Sequence, residues 1–264
     1  MNAMRPVAMG VLAALACVSS ASSDEAATAP AATIKRFIGC PVYRDTDAGR
    51  KSGCWLVTDL QDGLQYEVTD ARIKPILGQQ ILVEGVVTDK SRELCGAIVL
   101  DPVDVSVLPQ TCKGFVIPAE GHPGRRFGLP AVVMQPTNVP RVLPAPPYEP
   151  REYIIQFELN SDFLLYQYSE LIIEQASLYA KASKPRRITI TGYAVTRPIE
   201  VSGQRIAETL AVAEARARTI AEALNRLGIP RSQMELKWQE APANYSSGPL
   251  PELSRRRAVI AIEL

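Results

Sequence analysis

The sequence predicts an α+β protein of two units: a small all-β barrel in its first half and a βαβαββ two-layer sandwich in its second. Three observations carry that expectation. Between residues 34 and 115, short runs alternate apolar and polar side chains and are punctuated by turn residues. Between residues 151 and 264, two long stretches space their apolar residues three and four apart, and β-patterned runs flank them. Between these regions, prolines crowd residues 116–150. A period of two belongs to half-buried strands and three/four spacing to helices. A proline-dense stretch favours extended polyproline structure and acts as a semi-rigid linker.

The N-terminus carries an address. Arg5 precedes an apolar run from Val7 to Cys17, and small residues follow. The run is too short to span a bilayer as a helix, and residues 1–21 are expected to be a signal peptide. Ala14-Leu15-Ala16-Cys17 is similar to a lipoprotein cleavage box, which makes Cys17 a candidate for lipidation. Four cysteines then remain: Cys40, Cys54, Cys95 and Cys112. An even number in an exported chain implies two disulfides. Cys40–Cys54 with Cys95–Cys112 is the local pairing; Cys40–Cys112 with Cys54–Cys95 would staple the ends of the module. No CxxC occurs and the single histidine, His122, lies in the proline-rich stretch, so neither a metal site nor a redox motif is expected.

Composition narrows the functions further. Lys and Arg number 29 against 28 Asp and Glu, so no overall field points to nucleic acid, which is not expected as a partner. A hydrolase needs a nucleophile, a base and an orienting group, and one linker histidine, expected in solvent, does not furnish them. No catalytic residue and no cofactor are expected.

In the first unit, WLVTD and LQYEVTD flank Gln61-Asp62-Gly63, a tight-turn signal. ILVEGVVTD alternates and carries Gly85 mid-strand, a place for a bulge or a sharp coil. GAIVLDPVDVSVL supplies further strand. Short strands in a disulfide-stapled module suggest a small barrel of the OB type, with a small sandwich as the alternative. Tyr43, Trp55 and Tyr66 could offer an aromatic binding face, but basic residues do not cluster around them, and Trp55 is expected to pack on the Cys54 disulfide.

In the second unit, YIIQFELN alternates Ile155, Phe157 and Leu159 as a strand, and Ser161 or Asp162 can cap a helix running to about Ser183. RRITITG is the next strand. A polar loop, Tyr193 to Ser202, leads into a long helix from about Gly203 to Leu227. Its apolar stripe is Ile206, Leu210, Ala213, Ala217, Ile220, Leu224 and Leu227, with Arg216 off that stripe. Gly228 and Pro230 stop the helix. Strands near Met234–Gln239 and Arg257–Ile262 complete the sheet.

Four of these segments, IQFELNSDFL, ITITG, LAVAEARARTIAEALNRLGIPRSQM and SRRRAVIAIEL, together resemble the OmpA-like C-terminal domain, the peptidoglycan-associating module of Gram-negative envelopes. The resemblance spans residues 152–264. It implies non-covalent binding of the diaminopimelate-containing stem peptide, with an Asp engaging the amine and a helix Arg engaging a carboxylate through its planar fork. The helix Arg corresponds to Arg216, and the closing Arg pair to Arg256 and Arg257. The loop departs from the family pattern: Gly192-Tyr193-Ala194-Val195 stands where Gly-His-Thr-Asp is usual. Glu200, in Glu200-Val201-Ser202-Gly203, is the candidate replacement carboxylate. The expected ligand set is therefore Glu200, Arg216 and Arg256. An exposed Arg216 pairing at the helix surface with Glu208 or Glu214 nearby is the alternative.

The expectation is a periplasmic, outer-membrane-associated protein that binds peptidoglycan and contacts outer-membrane or periplasmic proteins through its N-terminal domain. The alternative is a degenerate OmpA-like domain serving as a protein-interaction adaptor in an envelope assembly.

Overall fold

The computed structural model describes residues 33–47, 52–88, 94–124, 134 and 140–264. The candidate signal peptide, Cys17 and the middle of the proline-rich stretch lie outside the described residues.

The N-terminal module contributes β1 (Ile34–Gly39), β2 (Pro41–Arg44), β3 (Cys54–Thr58), β4 (Gln65–Glu67), β5 (Gln79–Val87), β6 (Ile98–Thr111) and β7 (Val116–Ile117). They pair as one seven-stranded ladder in the order β1-β5-β6-β4-β3-β2-β7. The ladder is open, where a small barrel of the OB type is the expectation. Its β1 and β2 are consecutive in the chain, separated only by Cys40. The β5–β6 register shifts between Gly85 and Val87. The Leu100 side chain lies where a Cβ on Gly85 would sit, so the glycine anticipated as a bulge admits a close approach.

Of the pairings left open, the end-stapling one is present: Cys40–Cys112 and Cys54–Cys95. Trp55 does not pack on the disulfide beside it. Successive strand residues face opposite sides. Cys54 joins Leu56, Cys95 and Ala97 on one face, while Trp55 packs beside Val57 and Tyr66 on the other, its ring 5.1 Å from Tyr43. His122, expected in solvent, is half-buried beside Gly96.

The C-terminal domain contributes β8 (Arg151–Gln156), α1 (Tyr168–Ser183), β9 (Arg187–Ala194), β10 (Ile199–Val201), β11 (Gln204–Ile206), α2 (Leu210–Arg226), β12 (Met234–Glu240), α3 (Pro251–Arg255) and β13 (Arg257–Glu263). Four strands form a sheet in the order β12-β9-β13-β8, with β9 and β12 parallel and the other neighbours antiparallel. Ile155, Ile188, Ile190, Ala258, Ile260 and Ile262 share one core with Ile173, Ala176, Ala217, Ile220 and Leu224 from the helices. Each large aliphatic chain so buried contributes about 1.5–3 kcal/mol. Helix α2 lies so close on β9 that a Cβ at Gly192 would overlap the Ala213 carbonyl.

Two helix starts differ from expectation. Helix α1 begins at Tyr168, not beside Ser161. Residues 157–162 are engaged elsewhere: Leu159 donates its N–H to Ser106 Oγ at 2.9 Å, and Asp162 accepts from Thr219 Oγ1 at 2.8 Å. Helix α2 begins at Leu210, because residues 199–206 form the β10–β11 hairpin. Ser202 and Gly203 at its tip have φ of 49° and 73°, the two positive values of a type I′ turn. Leu210 and Leu227, assigned to the apolar stripe, are 49% and 39% exposed at the helix ends.

The hairpin rests on the N-terminal module. Val201, Ile199 and Ile206 pack with Ile38, Leu82, Leu108 and Leu159. Ile38 donates its N–H to Ser202 Oγ at 2.9 Å, and Gln204 Nε2 donates to Gln80 Oε1 at 2.9 Å. The described residues thus belong to one compact unit.

Candidate functional site: a buried arginine–carboxylate network

Helix α2 directs Arg216 inward, although a charged side chain at this position reads as a surface residue. Arg216 is 0% exposed. Its Nε donates to Ser161 O at 2.9 Å. Nη1 donates to Tyr193 O at 2.6 Å and to Glu208 Oε2 at 3.0 Å. Nη2 donates to Glu158 O at 3.0 Å and to Glu208 Oε1 at 2.5 Å. A guanidinium has five N–H donors, and all are used. The Phe157 ring lies 5.1 Å from its carbon, a cation–π contact.

Glu208, just before α2, is equally committed. It is 4% exposed. Besides Arg216, its carboxylate accepts the N–H groups of Asn160 at 2.9 Å and Val195 at 2.8 Å. The geometry is the bidentate fork that an external carboxylate would adopt on an arginine, but the carboxylate belongs to the chain itself.

Arg256, at the start of the closing segment, is 2% exposed. Its Nη2 donates to Glu84 of β5, and its Nε donates to Phe157 O at 3.3 Å. Glu84 also accepts from Arg36 Nε at 3.1 Å. Burial works to raise the Glu84 carboxyl, but Arg256 and Arg36 outweigh it and hold the group below its ordinary 4.5. For Arg256, burial disfavours the charge, and Glu84 more than compensates.

A second cross-module contact lies beside this one. Arg72 donates from Nη2 to Asp104 Oδ1 at 2.9 Å, and the same nitrogen lies 3.6 Å from Glu158 Oε1. Burial, opposed by Arg72 and Arg256, raises Asp104 above its ordinary value. Burial and then the Asp104 charge raise Glu158 from 4.5 to about 7.

The structure therefore brings Arg216 and Arg256 together through Phe157 and Glu158, and leaves Glu200 apart. Glu200 is exposed on β10, opposite Arg205. Arg257 is buried between the rings of Tyr245 and Tyr193, at 3.3 and 4.1 Å. Glu84, Glu158 and Asp104 carry no local sequence signal, since their partners come from distant segments. Glu208, eight positions before Arg216, was legible only as an alternative partner. Two surface cavities of about 430 and 440 Å³ include none of Glu200, Arg216 or Arg256. Cys54, Cys95 and Glu67 lie close together, but the two sulfurs are bonded to each other and offer no thiolate to a metal.

Fold and network define a two-layer α/β domain seamed to a disulfide-stapled β module. Several solved structures are similar to part of this chain. With the OmpA-like domain of FopA1 from Francisella tularensis the identity is 19% and the TM-score 0.34, over 42% of this chain and 71% of that one. With the peptidoglycan-associated lipoprotein of Burkholderia pseudomallei the values are 24% and 0.33, over 42% and 90%. With the cell wall anchor of the T6SS from Pseudomonas aeruginosa they are 16% and 0.33, over 43% and 81%. No protein-family model and no curated protein matches the sequence.

Proposed function

We propose that this chain is a cell-envelope protein whose OmpA-like domain acts as a protein-interaction adaptor, joined to a β module that contacts outer-membrane or periplasmic proteins. One observation carries the reading. Arg216 is fully buried, and Glu208 already occupies the place of a ligand carboxylate on its fork. A stem-peptide carboxylate would have to displace Glu208 from Arg216 and from two backbone N–H groups. Among the described residues, the cysteines are paired in two disulfides, which supports an oxidising compartment. Export to the periplasm by the N-terminal leader belongs to the same proposal, with cleavage after Ala16 leaving Cys17 as the first residue to carry an outer-membrane lipid anchor. The β module, with short strands in one ladder stapled by two disulfides, is read as OB-like within the same proposal. No catalytic role is assigned: Asp104 and Glu158 are sealed at 1% and 2% exposure.

A second reading is non-covalent binding of diaminopimelate-containing peptidoglycan through Glu200, Arg216 and Arg256. In its favour, Glu200 is open to solvent on the hairpin that leads into α2. It requires Glu208 to swing away. Sedimentation of the purified, oxidised chain with isolated sacculi separates the two. The adaptor reading expects wild type to stay in the supernatant. Retention of wild type that is lost in Glu200→Ala would instead establish the second.

A further inference from the structure

Asp104 of β6 and Glu158, just after β8, approach each other across the seam between the modules, at 1% and 2% exposure. Both oxygens of Glu158 and Oδ2 of Asp104 have no hydrogen-bond partner. Arg72 serves the two carboxylates unequally: it is hydrogen-bonded to Asp104 and stands 3.6 Å from Glu158. The remaining charges facing the pair are committed. Arg256 is directed at Glu84, which also takes Arg36, and Arg216 is held by Glu208. An ionised carboxylate buried beside another, with no side-chain hydrogen bond of its own, is costly, and a proton relieves that cost.

We propose that Glu158 and Asp104 form a proton-operated latch between the two modules: with a proton taken from solvent on the pair the seam is closed, and with both ionised the carboxylates repel across it and the seam loosens. The segment bearing Glu158 carries the effect further. Its backbone carbonyl accepts from Arg216, the Leu159 N–H is held by Ser106, and the Asn160 N–H is held by Glu208. Loosening at Glu158 therefore disturbs the surroundings of Arg216 as well as the seam. The latch does not depend on which partner the domain binds.

The sign follows from Glu158 keeping its proton more readily in the folded chain, from 4.5 up to about 7. Across that window the folded state holds more protons than the unfolded one, so this group's contribution to stability falls as pH rises. The test is the thermal midpoint of the full oxidised chain at about pH 5 and about pH 7.5. The margin by which Glu158→Gln, a neutral mimic of the protonated acid, out-melts wild type should widen by about 5–10 °C from the lower pH to the upper one. Protection of residues 157–161 against hydrogen exchange, taken relative to the intrinsic rate at each pH, should fall between the two conditions in wild type and not in the variant. A Glu158→Gln midpoint that keeps a constant offset from wild type overturns the latch. Asp104→Asn is the second variant. By removing the facing charge it should move the wild-type pH transition to lower pH, and an unmoved transition overturns the proposal equally.

Discussion

Arg256 and Glu84 lie 172 positions apart in sequence, yet each is almost wholly buried against the other. One stands at the entrance to the last strand of the C-terminal sheet, the other in the middle of β5 of the N-terminal module. Removing one partner of a buried ion pair leaves an uncompensated charge and costs about 3–5 kcal/mol. Arg256→Ala and Glu84→Gln are each expected to lower the urea midpoint accordingly. The double change Glu84→Leu with Arg256→Met should cost clearly less than the sum of its parts. Trp55 and Trp238 place one fluorescent probe in each half. Coincident transitions at the two, read in single-Trp variants, are expected for a seam this tightly shared.

Glu208 and Glu200 should behave very differently despite similar chemistry. Glu208→Ala strips Arg216 of its counter-charge and frees two backbone N–H groups, a loss of about 3–5 kcal/mol. Glu200→Ala, on an exposed strand, should change stability by no more than about 0.5 kcal/mol. Denaturant unfolding of the two variants under one buffer decides this.

Acid stability should depend on Glu84. Arg256 and Arg36, against the effect of burial, hold its carboxyl below 4.5. A group depressed in the folded state contributes stability above its unfolded value and loses it as pH falls through the folded one. Glu84→Gln should therefore flatten the acid limb of the pH–stability curve below about pH 4.5. The opposite sign applies to Glu158, so the two variants should tilt the curve in opposite directions.

The two disulfides should open in order. Cys54 and Cys95 are 0% exposed, whereas Cys40 and Cys112 are half-buried. Graded reduction with alkylation and mass spectrometry should label Cys40 and Cys112 first. The bridges span 72 and 41 positions, and in the chain-entropy description each stabilises by about 4 kcal/mol.

Much of the C-terminal core was legible because it repeats locally. Ala213, Ala217, Ile220 and Leu224 follow the helical period and are all 0–1% exposed. Ile188 and Ile190 follow the strand period and share the same core. The hairpin was missed because apolar spacing continued through it: Ile206 fits the stripe of α2 while belonging to β11. The Ser202-Gly203 dipeptide, a turn signal, marked the interruption. Arg216 and Arg256 were identifiable from the resemblance alone. Their burial was not, because it depends on carbonyls and carboxylates that only the folded chain brings near. Residues 157–161 illustrate the difficulty. They read as a strand end and a helix cap, but their N–H groups are shared out between two modules.

The hairpin seated on β1 makes the halves complementary pieces of one object. Ile38, Leu82 and Leu108 are covered by Val201 and Leu159, and the Ile38 N–H is held by Ser202. A chain nicked once within its proline-rich stretch should thus keep its two fragments together without a covalent bond. Expressed separately, each fragment would offer the other an apolar and charged template to reassemble on.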